Sequence, residues 1–131
     1  MDRPATIDRW HELVAKLDPS GLEDLLAEDA VFRSPSVHTP QEGKVVTTAY
    51  LAAAMAVLGP TLRYRHEWYG ASTAVLEFTA ELDGIGVHGV DMIRWDEDGL
   101  ITEFTVMVRP QQGLEKLVEA MSAELQYAAG D

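Results

Sequence analysis

The chain contains no cysteine. That excludes disulfides, a thiolate nucleophile and any Cys-ligated metal. Basic residues are scarce: 10 Lys and Arg stand against 22 Asp and Glu, for a formal net charge of −12. Such a balance repels a phosphate backbone or an anionic bilayer, so neither nucleic acid nor membrane is an expected partner. Long hydrophobic runs are also missing. The longest, Ala49 to Leu58, falls well short of the ~20 residues a membrane span needs. The segment Met1 to Trp10 is polar and carries no apolar run with a cleavage site, which points to the cytoplasm rather than secretion. The 4 histidines are scattered without paired ligand spacing, so no metal and no other cofactor is expected.

What is present fits one folded domain. Hydrophobic residues make up 47% of the 131, enough for one core spanning residues 1–131. Ile7, Trp10, Leu13, Val14 and Leu17 recur at helical spacing and predict a first amphipathic helix. Asp18-Pro19-Ser20-Gly21 breaks it. Ser20 and Glu23 form a capping-box pattern for a short second helix carrying Leu22, Leu25 and Leu26. Ala30 to Ser34 reads as a strand, Pro35 to Gly43 as a loop, and the alanine-rich Val45 to Leu58 as a third helix stopped by Gly59-Pro60.

The second half changes period. Leu62–Tyr69, Thr73–Leu82, Ile85–Asp96 and Ile101–Arg109 are strand-like runs, separated by turn residues that include the hairpin signal Asp83-Gly84. They predict an antiparallel meander. A last amphipathic helix follows Pro110, with Leu114, Leu117, Val118, Met121 and Leu125 on one side. Helices followed by a meander make an α+β fold with the helices on one sheet face. The other face also carries apolar residues. A second subunit covering it through Val90, Met92, Thr105 and Met107 would make a homodimer; a C-terminal helix lying there is the alternative.

Two stretches resemble the nuclear transport factor 2-like superfamily, which includes ketosteroid isomerase, limonene epoxide hydrolase and SnoaL-like polyketide cyclases. One is Leu25-Leu26-Ala27-Glu28-Asp29-Ala30-Val31-Phe32-Arg33-Ser34-Pro35, closed by Glu42-Gly43. The other is Val90-Asp91-Met92-Ile93-Arg94-Trp95, followed by Asp98-Gly99. The resemblance implies a cone-shaped, curved antiparallel sheet wrapped around the N-terminal helices, a cystatin-like α+β barrel with an apolar pocket. It does not by itself imply one activity, because this fold hosts many. Against ketosteroid isomerase, the general-base aspartate falls on Ser34 and the oxyanion tyrosine on Trp10. The oxyanion aspartic acid falls on Asp91, which matches. The acid that the epoxide hydrolase carries on its last strand falls on Val106.

These correspondences direct attention to particular side chains. Asp91 shares a strand face with Ile93 and Trp95. Burial without a cation would raise its pKa and leave it a proton donor to a ligand carbonyl; a structural hydrogen bond is the plainer reading. Alternation puts Leu62, Tyr64, His66 and Trp68 on one face, opposite Arg63, Arg65 and Glu67. That makes His66 a candidate base near Asp91, or else a core histidine with satisfied nitrogens. Trp10, Phe32, Tyr64, Trp68, Phe78, Trp95 and Phe104 could line a flat cavity or simply be core; Ser34 precedes the Pro35–Pro40 loop, and His38 lies in that loop, either at the cavity mouth or facing solvent. His88 is expected to face outward and His11 to be exposed. The expected activity is binding of a small hydrophobic molecule. The alternative is an isomerase or cyclase acting on a polycyclic ketone or polyketide through Asp91.

Overall fold

A computed structural model describes residues 2–128. Helix α1 spans Ala5–Lys16 and ends where Leu17 turns left-handed (φ 49°), which leaves that leucine exposed rather than on the buried stripe. The expected capping box does not form. Asp18 instead caps a single 3-10 turn over Pro19–Gly21, accepting from the Ser20 N–H at 3.0 Å. Helix α2 (Leu22–Leu25) follows without a side-chain cap. Strand β1 is longer than expected, Leu26–Arg33, and β2 is a two-residue stub, Gln41–Glu42. Helix α3 covers Lys44–Leu58.

The meander is β3 (Arg63–Tyr69), β4 (Thr73–Leu82), β5 (Ile85–Trp95) and β6 (Ile101–Arg109), followed by α4 (Gln111–Ala128). Asp83 and Gly84 both take positive φ at the β4–β5 hairpin, as an Asp-Gly turn of this kind requires. The strands make one six-stranded sheet in the order β2-β1-β6-β5-β4-β3, in which β1 runs parallel to β6. The fold is α+β: a curved sheet with helices, as the sequence pattern implied.

Alternation sorts the sheet. Ala74, Leu76, Phe78 and Ala80 of β4 and Val87, Ile93 and Trp95 of β5 face the core with Phe104 and Val106 of β6. Ile7 and Trp10 of α1, Leu22 and Leu25 of α2 and Leu51, Met55 and Leu58 of α3 close over them. Each fully buried side chain of this size contributes about 1.5–3 kcal/mol. No helix among the described residues is long and apolar enough to cross a membrane.

One irregularity decides the site. Between Tyr64 and Glu67 the β3–β4 register slips: Tyr64 pairs with Phe78, but Glu67 already pairs with Leu76. A β-bulge therefore sets Arg65 and His66 against the single residue Glu77. Beyond it every side chain of β3 has changed face.

Candidate active site

An apolar cavity of about 190 Å³ lies between α3, α4 and the inner sheet face. Phe32, Tyr50, Leu51, Met55, Phe104 and Val106 form much of its wall, and the loop Ser34–Val37 forms part of its rim. Helix α4 contributes Leu117, Met121 and Leu125. Of the expected small residues of α3, Ala54 reaches the cavity; Ala53 is buried elsewhere and Ala49 and Ala56 are exposed.

Among the described residues Asp91 is the one carboxyl group on this wall, and it is only 6% exposed. Its row across the sheet is apolar: Leu76 on β4 and Val106 on β6 are its direct partners. Tyr64 Oη donates to Asp91 Oδ2 at 2.6 Å, and Trp10 Nε1 donates to Tyr64 Oη at 2.9 Å. Among the described residues Asp91 has no further hydrogen-bond partner and no cation beside it. Burial therefore pushes its pKa up to about 7, while the Tyr64 hydrogen bond pulls the other way. Tyr64 itself is held well above the usual tyrosine range, first by burial and then by the adjacent carboxylate. The chain Trp10–Tyr64–Asp91 thus ends in one carboxyl whose charge state is balanced near neutrality, facing an apolar space.

The bulge removes His66 from this site. Its imidazole is on the outer face, three-quarters exposed, with Nδ1 2.8 Å from Glu77 Oε1. Trp68 follows it outward and is 57% exposed. The expectation of a His66 base beside Asp91, and of Trp68 in the pocket, fails because strict alternation does not survive the extra residue. Replacing His66 with alanine should leave ligand affinity unchanged by calorimetry; a tenfold loss would contradict the outward placement.

Other placements also change. His38 is exposed on its loop and does not border the cavity. Phe78 and Trp95 are buried in the core away from the wall, so the cavity does not extend beneath them. Trp10, Phe32, Ser34, Tyr64 and Phe104 do border it. Glu67, expected outside, turns inward toward α1. It accepts from Tyr69 Oη at 2.6 Å and lies 2.7 Å from His11 Nε2. The latter pair has ion-pair distance but not hydrogen-bond alignment, and burial lowers the His11 pKa against the pull of Glu67. His11 is thus mostly covered, packed edge-on to the Tyr64 ring at 4.9 Å. His88 faces outward as expected, bonded to Glu77 Oε2 at 2.7 Å.

Tyr50 and the α4 residues were not anticipated. Tyr50 was legible in principle: it lies four residues before Ala54 and eight before Leu58 on α3, and its ring stacks on Phe32 at 5.3 Å. No group of three His, Cys, Asp or Glu side chains among the described residues could hold a metal.

The SnoaL-like domain family model matches residues 7–104, which includes most of α1, the whole of β5 and the aspartate. The chain belongs to this family. This SnoaL-like domain is similar to a steroid delta-isomerase from Pseudomonas aeruginosa, with 41% identity and a TM-score of 0.91 over 97% of this chain and 93% of that one. It is also similar to an uncharacterized protein with a cystatin-like fold from Silicibacter pomeroyi (34% identity, TM-score 0.88, 95% and 88% covered). The epoxide hydrolase/cyclase-like enzyme SalBIII, of pyran ring formation in salinomycin, shares the fold at 16% identity and TM-score 0.66, over 79% of this chain and 88% of that one. No curated protein matches the chain.

Proposed function

We propose that this SnoaL-like domain binds a small hydrophobic molecule in the cavity and exchanges a proton with it through Asp91, in an isomerisation or cyclisation. One observation carries the reading. Among the described residues Asp91 is the sole carboxyl on an apolar wall, and its only hydrogen bond comes from Tyr64. An apolar cavity with one carboxyl poised on its wall suits a ligand that is apolar except for a carbonyl or hydroxyl. Among the described residues no imidazole and no second carboxylate lines the cavity, so a single residue both takes and returns the proton. In an isomerisation the carboxylate removes a proton from the carbon beside a carbonyl. The C–H electron pair becomes the enolate double bond, and the new carboxylic acid returns the proton to another carbon. In a cyclisation the acid protonates a carbonyl oxygen as an internal hydroxyl attacks the carbonyl carbon and its π bond opens, and the carboxylate then takes the proton of the attacking hydroxyl. A carboxyl titrating near neutrality serves both directions. The 41% identity to a steroid delta-isomerase supports this reaction class.

Incubation with a cyclic ketone in heavy water tests this. Saturable deuterium incorporation beside the carbonyl, followed by NMR, is the expected result. Ketone that binds without exchanging would make the domain a binding module.

The outer sheet face supports a homodimer. Val75 pairs with Met92, Val90 pairs with Met107, and Met107 and Trp68 are 54% and 57% exposed. Two such faces bury each other's apolar rows. Met92→Glu places a charge among them and is expected to give monomer or aggregate by sedimentation; a parent protein that is monomeric at high micromolar concentration contradicts the dimer.

A further inference from the structure

The β3 bulge brings Glu67 into a polar cleft between α1 and β3, bordered also by Arg3, His11, Tyr64 and Tyr69. The proton exchange assigned to Asp91 leaves all but Tyr64 unused. Three groups converge on the Glu67 carboxylate. Tyr69 Oη donates to Oε1 at 2.6 Å, Arg3 Nε lies 3.5 Å from the same oxygen, and His11 Nε2 lies 2.7 Å from Oε2. The His11 and Glu67 side chains are 19% and 11% exposed, so water screens them less than a surface pair. At this distance from a carboxylate oxygen His11 Nε2 carries a proton, since two lone pairs would repel there. Arg3 just precedes α1 and His11 lies at its middle, so one carboxylate ties that helix to β3 at two points.

The tie bears on Asp91 because of what His11 touches. The Tyr64 ring meets His11 edge-on at 4.9 Å and Phe78 edge-on at 6.4 Å. Its hydroxyl accepts the Trp10 N–H and donates to Asp91. Trp10 and His11 are neighbours on α1, so one helix supplies both a hydrogen bond to the Tyr64 oxygen and a wall for its ring. Tyr64 borders the cavity and the cleft alike. A tyrosine pivots about χ1 and χ2. Without the His11 ring the phenol is free to lean into the cleft, which carries its hydroxyl away from Asp91.

We infer that His11 and Glu67 are positioning residues for the proton exchange: the carboxylate fixes the imidazole, and the imidazole holds the Tyr64 phenol on Asp91. The inference rests on the reading of Asp91 as the proton-exchanging group. The bulge that takes His66 out of the site is the same one that delivers Glu67 to His11. A histidine therefore serves the carboxyl from behind Tyr64, outside the cavity.

Proton NMR at pH 8 tests it. The Tyr64 hydroxyl, 2.6 Å from Asp91 Oδ2, is expected to give a far-downfield resonance that is absent from Tyr64→Phe. In His11→Ala that resonance should broaden away through exchange with water. Proton exchange on a bound cyclic ketone should slow by about ten- to a hundredfold, while ketone affinity stays within about twofold because His11 does not border the cavity. His11→Phe returns a ring to the same place without the ion pair and should restore both the resonance and the rate. An ion pair that merely stabilised the fold would lower the urea midpoint in both variants and leave the resonance in place. No such resonance in the parent, a sharp one in His11→Ala, or an equal loss in His11→Phe overturns the inference. The resonance is read without ligand. A ketone that never exchanges in the parent therefore sinks the Asp91 chemistry, while the resonance still decides whether His11 holds Tyr64. Should His11→Ala not fold by circular dichroism, Glu67→Gln decides instead: its amide oxygen still accepts from Tyr69, but the charge that fixes His11 is gone. Broadening is then the expected result, and a sharp resonance overturns the inference.

Discussion

At pH 8 the Asp91→Asn variant is expected to unfold at higher urea concentration than the parent, and at pH 4.5 at lower. Burial raises the Asp91 pKa from the ordinary 3.8 to about 7 in the folded protein. The native state therefore holds a proton that the unfolded chain releases across that window. Stability falls as pH rises from the lower value to the higher, and above pH ~7 the full cost, about 4 kcal/mol, is present. Asparagine carries no charge and escapes this cost. Its amide oxygen can still accept from Tyr64, but its NH₂ enters an apolar space without a partner, a penalty of about 1–2 kcal/mol. The net expectation is a gain of about 2–3 kcal/mol at pH 8 and a loss of up to about 1 kcal/mol at pH 4.5, where about 1 kcal/mol of the ionisation cost is already present. Any proton exchange on a bound ketone should fall by at least about a hundredfold in the same variant. Stability and function thus move in opposite directions at alkaline pH, the signature of a site residue. A merely structural aspartate would show the same change in stability with no proton exchange to lose.

Phe78→Ala should cost about 3–5 kcal/mol in urea unfolding and leave ketone affinity nearly unchanged. Phe78 is fully buried on the inner face of β4, opposite Gly89. A Cβ built on Gly89 would come within 2.7 Å of the Phe78 ring and 2.4 Å of the Met107 carbonyl oxygen. The missing side chain on β5 is therefore what lets the ring lie flat there. Truncating the ring opens a void that neither Gly89 nor the rigid sheet can fill. Phe78 does not border the cavity, so the ligand should not feel the loss except through overall stability. A large affinity change at unchanged fold would mean that the cavity extends beneath the ring.

These two residues show what sequence reading could and could not reach. The period-2 runs and the Asp-Gly turn defined β4 and β5 nearly to the residue, because both strands hold unbroken register over their shared length. That regularity placed Asp91 on the face of Ile93 and Trp95. The same reasoning failed on β3, where a bulge reverses the faces beyond Tyr64. A trace of it was present: Tyr64 and Tyr69 are an odd number of residues apart, yet both turn inward, which only an extra residue permits. Aromatic identity could not separate Phe32 and Phe104, at the cavity, from Phe78 and Trp95, behind it. That distinction depends on where α3 and α4 stand off the sheet, a property of helix packing rather than of strand pattern. For the same reason the contribution of α4 was invisible: its apolar stripe was legible, the empty space under it was not. The partnering of Asp91 by Tyr64 and Trp10 depends on three elements far apart in sequence meeting at one point.

The most direct measurement is a pH titration of the Asp91 carboxyl carbon by NMR, without ligand and with a saturating cyclic ketone. A midpoint near 7 in the free protein, moving upward when the bound ketone excludes water from the carboxyl, is the predicted result. A midpoint near 3.8, the same with and without ketone, would show a solvated carboxylate that no ligand touches, and would contradict both the site and the chemistry assigned to it.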